Sequence, residues 1–206
     1  LPIITGNDLA AYMGVNDTED STEFDLAADT ACDVAVGWAG RSFDKTEIVD
    51  ASARTYHADT SGYLMVHDFW STTGLVVKTD DNDDGTYETT WTYGTDFALR
   101  PSNGLKRGRP WPYEEIIAVG LRRFPTMTNR AAVQVTAAWG WSSIPAPIRT
   151  ATLIEGARLF RRKDSPEGIL GGFEAFGPVR VSHFDDPDFV RPLSGYRRVA
   201  RSVAIG

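Results

Sequence analysis

Only one cysteine, Cys32, occurs in the 206 residues, so no internal disulfide can form and nothing points to an oxidising compartment. No apolar run approaches the roughly 20 residues that a membrane-spanning helix needs. No basic-then-apolar leader opens the sequence either. These absences predict a cytosolic product with no membrane association. Signatures of catalysis are missing as well. There is no nucleophile elbow, no Cys–His signature, no H-E-x-x-H pair and neither common phosphate-binding glycine loop. Gly171–Gly172 lacks both the spacing and the following lysine. Cys32 lies among Ala31, Val34 and Ala35 and reads as a small core residue. The sequence therefore predicts a protein that is not an enzyme and carries no cofactor.

Hydrophobic residues make up 42% and charged residues 24%, the range of soluble globular proteins. A chain of this length buries roughly 70% of its unfolded surface, so a core forms without staples. The net charge of −7 is unevenly spread. Residues 1–50 hold 11 acids and 2 bases, residues 51–148 hold 10 and 9, and residues 149–206 hold 7 and 10. Tight DNA wrapping needs rows of Lys and Arg along the phosphates, and this composition argues against it. An acidic end and a basic end instead permit contact between neighbouring copies.

The pattern predicts an α+β protein: a small helical bundle from both ends, with a β-rich, sandwich- or barrel-like insertion. Residues 1–50 supply N-terminal helices. Thr5 or Asn7 caps the first, which Gly14 stops. Asp20 and Glu23 resemble a capping box ahead of an apolar stripe at Phe24, Ala27, Ala31, Val34 and Trp38, with Asp25, Asp29 and Asp33 mostly on another face. Residues 51–142 form the insertion. Its strands are expected at Ser52–His57, Gly62–Asp68, Gly74–Thr79, Tyr87–Tyr93, Phe97–Arg100, Ile116–Arg122 and Ala132–Trp139, and Pro101–Pro112 reads as a loop. Residues 143–206 return to helix at Ser143–Lys163, with Pro147 in its first turn and a stripe of Leu153, Ile154, Ala157 and Phe160. The glycine-rich stretch Gly168–Gly177 suggests a segment that orders on docking. A short final helix runs from Asp186–Pro187 to Tyr196, Arg197 and Arg198.

Three constellations carry possible chemistry. Asp80, Asn82 and Asp84 occupy the first, third and fifth positions of a calcium-loop pattern with Gly85 at its turn, but the twelfth position is Trp91 where a bidentate Glu is required. The same run reads as the tip of a hairpin. His57, Asp59, His67 and Asp68 can assemble a metal site only if their strands pair. Six tryptophans raise sugar stacking, for which Trp70 and Trp111 in loops are the candidates, while Trp91, Trp139 and Trp141 suit burial.

Two segments and the chain's ending resemble tailed-phage head–tail connector (head-to-tail adaptor) proteins. The first runs from Ile4-Thr5 and Leu9-Ala10-Ala11-Tyr12-Met13-Gly14-Val15 to Ala35-Val36-Gly37-Trp38-Ala39-Gly40-Arg41-Ser42-Phe43. The second is Trp139-Gly140-Trp141 with Ile144–Ile148, then Ala157-Arg158-Leu159-Phe160-Arg161-Arg162-Lys163 through Gly168, similar to members from phages of actinobacteria. The ending Pro192-Leu193-Ser194-Gly195-Tyr196-Arg197-Arg198 is similar to the family's closing tyrosine-arginine helix.

This resemblance implies a structural protein of the virion neck, made in the host cytoplasm. It implies a homo-oligomeric ring, typically dodecameric, beneath the portal protein. Such a ring extends the channel for double-stranded DNA, without sequence-specific binding, and carries the stopper, tail terminator or tail tube protein. By the same resemblance Tyr196, Arg197 and Arg198 contact the portal, and Arg158, Arg161 and Arg162 serve subunit or channel-side pairing. Asp17, Glu19, Asp20 and Glu23 are expected to form an acidic region on the ring. The rival readings are a carbohydrate- or host-surface-binding β module and a metal-dependent hydrolase near His57, Asp59 and His67.

Overall fold

Thr5 starts the first helix, α1 (Gly6–Met13), with a reciprocal cap. Its hydroxyl oxygen accepts from the Asp8 N–H at 3.2 Å, while the Asp8 carboxylate accepts from the Thr5 N–H at 3.0 Å. Gly14 closes α1 in the left-handed conformation, as its position in the sequence predicts. The second helix, α2 (Ser21–Ala39), is about 28 Å long. Asp20 precedes it but makes no side-chain capping bond. Its carbonyl accepts from the Glu23 and Phe24 N–H groups instead. The expected Asp20–Glu23 box is therefore absent, and Thr5–Asp8 forms one.

The computed structural model describes residues 2–15, 20–162, 169–170, 179–180 and 186–198. The chain divides into two units, one built from Leu1–Arg41 with Ile144–Arg198 and the other around Ser42–Ser143. In the first, α2 packs on α1, on α3 (Ala146–Arg162) and on α4 (Pro187–Ser194). The buried face of α2 is Phe24, Ala27, Ala28, Ala31, Cys32, Ala35 and Ala39. Val34 is exposed and Trp38 half-buried, so the expected stripe is displaced by one position along the second half of the helix. Alanines line the contact because small side chains let helix backbones approach. The Cys32 thiol donates weakly to the Ile4 carbonyl at 3.6 Å, and burial pushes its pKa up. It is a core residue.

A similar displacement occurs on α3. Its buried residues are Ile148, Ala151, Thr152, Glu155, Gly156 and Ala157, while Leu153, Ile154 and Phe160 are half-buried. Gly156 is where Leu9 seats, since a Cβ there would lie 3.2 Å from Leu9 Cδ1. Phe24 stacks on Phe160 with centroids 4.1 Å apart, which places the start of α2 beside the end of α3. Asp186 caps α4 by accepting from the Asp188 N–H at 2.9 Å, and Phe189 and Leu193 bury its apolar side. The helix ends before Tyr196, shorter than the sequence predicts. Ile169–Leu170 and Val179–Arg180 pair as a short antiparallel ribbon.

In the second unit every strand-to-strand ladder is antiparallel. Strands β1 (Ser52–Tyr56), β9 (Val133–Ala137), β3 (Val76–Thr79) and β4 (Thr89–Trp91) form a four-stranded sheet in that order. Strands β2 (Tyr63–Phe69), β8 (Tyr113–Ala118) and β5 (Phe97–Arg100) form a three-stranded one. Isolated bridges, Phe69 to Trp139 and Tyr93 to Phe97, join the sheets at their margins, so the unit is a nearly closed sandwich. Alternation is clean along β9, where Val133, Val135 and Ala137 face a core shared with Tyr56, Val66, Phe69, Trp91, Ile116 and Trp139. The expected strand at Tyr87–Tyr93 is real only over β4, and Tyr93 is exposed beyond it. The stretch read as a loop holds a two-stranded ribbon, β6 (Leu105–Lys106) with β7 (Arg109–Pro110). The architecture is thus α+β, with helices from both ends flanking a β-rich centre. Among the described residues no helix is long and apolar enough to cross a membrane.

Candidate assembly surfaces

The last described residues fold back on the end of α2. The Arg198 N–H donates to the Ala39 carbonyl at 2.7 Å, satisfying one of the acceptors that a helix end leaves open. The Arg197 guanidinium lies over the Trp38 ring, 5.4 Å from its centroid. Both arginines also place positive charge at the negative end of the α2 dipole. Tyr196 is half-buried, and its N–H donates to the Leu193 carbonyl at 2.8 Å. Tyr196, Arg197 and Arg198 therefore cluster at one end of the helical unit.

The other basic residues sit along α3. Arg158 is held inside the unit, 3.5 Å from a Glu155 carboxylate oxygen and 3.8 Å from Asp186. Glu155 is buried, so Arg158 both neutralises it and pins the start of α4. Arg161 and Arg162 are exposed in the last turn of α3 and form no ion pair among the described residues. Asp20 and Glu23 are half-buried at the start of α2, while Asp17 and Glu19 lie outside the described residues, as does nearly all of the Gly168–Gly177 stretch.

A further surface escaped the sequence reading. Leu26, Asp29, Thr30, Asp33, Val34 and Gly37 follow one another at i, i+3, i+4, i+7, i+8 and i+11 on α2, and all six are exposed. The signal was present in the spacing, but the stronger apolar pattern on the buried side masked it.

Asp80 is fully buried, and its carboxylate accepts from the Asp84 N–H at 3.2 Å and the Gly85 N–H at 2.7 Å. The Asp84 side chain accepts from the Thr86 N–H at 2.7 Å, and Asp83 accepts from the backbone N–H groups of Asn129 and Arg130. One carboxylate oxygen from each of Asp80, Asp84 and Glu88 lies within 4.8 Å of the others, and the Asn82 side chain hydrogen-bonds to Asp84. These carboxylates stitch the β3–β4 connection together. Asn129 on Asp83 and Thr86 on Asp84 hold both carboxyls below the ordinary carboxylate range through their backbone N–H groups.

Because those folded-state pKa values are depressed, the stabilisation is present above about pH 4 and is lost as pH falls through the lower folded values. At about pH 3 the Thr86 and Asn129 amides are therefore expected to lose protection, measured against the unstructured exchange rate at the same pH, while those of β9 keep theirs. Hydrogen exchange followed by NMR measures this, and unchanged protection at Thr86 and Asn129 would contradict it.

His57, Asp59, His67 and Asp68 do not come together. Their strands are not neighbours, since β1 pairs with β9 and β2 with β8. Strand alternation also turns His67 and Asp68 to opposite faces. His67 Nδ1 lies 2.9 Å from the Tyr56 hydroxyl, and Asp68 accepts from the Trp141 indole N–H at 3.0 Å. Trp70 and Trp111, expected to be exposed, are half-buried. One face of each carries a lysine, Lys45 at 4.8 Å and Lys106 at 4.4 Å, and Trp111 also meets Trp141 edge-on. Trp91, Trp139 and Trp141 are buried, as the sequence predicts.

No protein-family model matches the chain, and no curated protein matches it. Among solved structures the chain is similar to one in the neck of an empty GTA particle computed with C6 symmetry. That likeness has a TM-score of 0.57 at 12% identity and covers 98% of this chain and 93% of that one. It is also similar to one in the neck of a native GTA particle computed with C12 symmetry, with a TM-score of 0.52, 13% identity and coverage of 96% and 94%. At such identities the likeness is one of fold, and it runs through both the helical and the β-rich parts.

Proposed function

We propose that the chain is a structural protein of a virion neck, a head-to-tail adaptor that forms a ring below the portal and docks the next protein of the tail. The observation that carries this reading is the fold likeness over nearly the whole chain to a neck component of GTA particles, whose necks were computed with C6 and C12 symmetry. A dodecamer satisfies both symmetries. The resemblance of the terminal segments to head–tail connectors points to the same role. In this role the protein does no chemistry; it is assembled from copies made in the host cytoplasm and surrounds DNA that passes without sequence-specific contact.

The terminal cluster Tyr196, Arg197 and Arg198 meets the portal. Arg161 and Arg162 pair with a neighbouring subunit, and Arg158 supports that surface by holding α4 against α3. Asp17, Glu19, Asp20 and Glu23 form the acidic part of the ring, where carboxylates repel phosphates that come within roughly 8 Å at physiological salt. The stopper, tail terminator or tail tube attaches on the side away from the portal.

A label at Met127, which is fully exposed on the β-rich unit, tests this in assembled particles. Electron microscopy is expected to show it at the head–tail junction. A label at the tail tip would instead favour a host-surface-binding module, and particles without label would contradict a virion protein.

A further inference from the structure

The described residues hold two sets of charges with no partner of opposite sign. Helix α2 carries Asp25, Asp29 and Asp33 at exposed positions and no lysine or arginine. Asp25, Asp29 and Asp33 stand one turn apart at i and i+4, where like charges destabilise a helix, and none forms an ion pair among the described residues. Arg161 and Arg162 are likewise exposed and unpaired on α3. Among the described residues, acid on one helix and base on another are thus left without opposite-sign partners and are not joined to each other.

The acidic side of α2 is also apolar. Leu26 is 69% exposed and Val34 39% exposed, two turns apart on the outer side of a helix whose inner side is already packed. The Thr30 hydroxyl between them donates back to the Leu26 carbonyl at 2.7 Å, which leaves its methyl to the surface. A Cβ at Gly37 would meet nothing within 4 Å, so the row ends in open space that a partner can approach. Six exposed positions at helical spacing, alternating carboxylate and apolar, form a second packing face on α2. Arginine suits such a face because its stem covers apolar surface while its guanidinium reaches a carboxylate.

We infer that the outer row of α2 (Leu26, Asp29, Asp33 and Val34) docks on the Arg161–Arg162 end of α3 in a second copy of the chain. This rests on the ring reading above and deepens it by naming both faces of the subunit contact. The contact is heterologous: each copy uses its acidic row towards one neighbour and its arginines towards the other, as a closed ring requires.

Charge reversal on each face separately provides the test. Asp29→Lys with Asp33→Lys makes both faces positive, and Arg161→Glu with Arg162→Glu makes both negative. Each variant alone is expected to self-associate roughly tenfold or more weakly than the wild type in sedimentation velocity at low salt. An equimolar mixture of the two is expected to recover association, since every junction then joins opposite signs. All four positions are exposed, so far-UV circular dichroism should match the wild type and exclude misfolding. If each folded variant associates like the wild type, the two faces are not the contact, although the ring reading stands. If the mixture fails to recover, α2 meets a different protein, such as the portal, and the inference is overturned. A wild-type chain that stays monomeric at every concentration, with or without portal, overturns the ring reading itself.

Discussion

Gly140→Ala is expected to lower the stability of the β-rich unit by about 4 kcal/mol or more, among the largest effects a single methyl group can have. Gly140 has φ +91°, a conformation that costs an L-residue energy by itself. It bridges Lys45, donates its N–H to the Asp68 carbonyl at 2.6 Å, and is followed by Trp141, whose N–H donates to the Asp44 carbonyl at 3.0 Å. A Cβ built there runs into the Asp44 carbonyl group, with its carbon only 2.6 Å away. Those atoms are backbone held by hydrogen bonds on both sides, so they have no rotamer by which to yield. For a unit of about 100 residues the loss corresponds to a fall in thermal midpoint of roughly 15–30 °C. Gly94→Ala is the control. It has φ +82° but nothing within 4 Å of a Cβ, so about 1 kcal/mol is expected. Equal midpoints for the two variants, read by circular dichroism, would contradict the close approach at Asp44.

Phe24→Ala is expected to cost about 3–4 kcal/mol in the helical unit. Phe24 is 2% exposed, and its ring lies 4.1 Å from that of Phe160 with the planes 5° apart. Truncation removes a buried ring and leaves the half-buried Phe160 facing a cavity at the point where the start of α2 meets the end of α3. Phe24→Leu keeps most of the volume but not the stacking, which is worth about 1 kcal/mol beyond area, so an intermediate loss is expected. Urea titration followed by helix signal checks the order. A Leu variant as damaging as the Ala variant would mean that ring geometry matters more than filled volume.

Much of this fold was legible because the period of the hydrophobic pattern changes from helical to alternating near Ala51 and back after Trp141. The positions of α1, α2, α3, β2, β5 and β9 follow from that change. Which face of each helix is buried was less legible. On α2 the contact is made by Ala28, Ala35 and Ala39, and on α3 by Ala151, Thr152 and Gly156, residues whose value is their small size. Hydropathy favours Val34, Trp38, Leu153 and Ile154, and so points one position away. The capping box at Asp20 failed because Asp20 has a backbone conformation of φ −95° and ψ 16°, outside the extended region from which a cap side chain reaches the first turn.

The candidate site was legible in a similar proportion. The Tyr196–Arg198 cluster and the Arg161–Arg162 pair are visible as charge at helix ends. That Arg158 is engaged by Glu155 and Asp186 is not, because Asp186 lies 28 residues further along the chain. Pairing across that separation depends on how α4 returns to α3. The calcium-like run at Asp80–Gly85 shows the reverse case, in which a familiar composition serves the backbone. Its carboxylates accept N–H bonds from Gly85, Thr86 and Asn129 and thereby fix a long β3–β4 connection.

The proposed role is assembly of this protein with itself and its neighbours in a particle neck. Light scattering of the purified chain, alone and with the portal protein of the same particle, measures that most directly. The account predicts a weakly associating chain whose mass rises in the presence of portal to that of a closed ring, twelve copies if the C12 symmetry of the similar neck applies here. A single unchanging monomer mass at all concentrations, with and without portal, would contradict it.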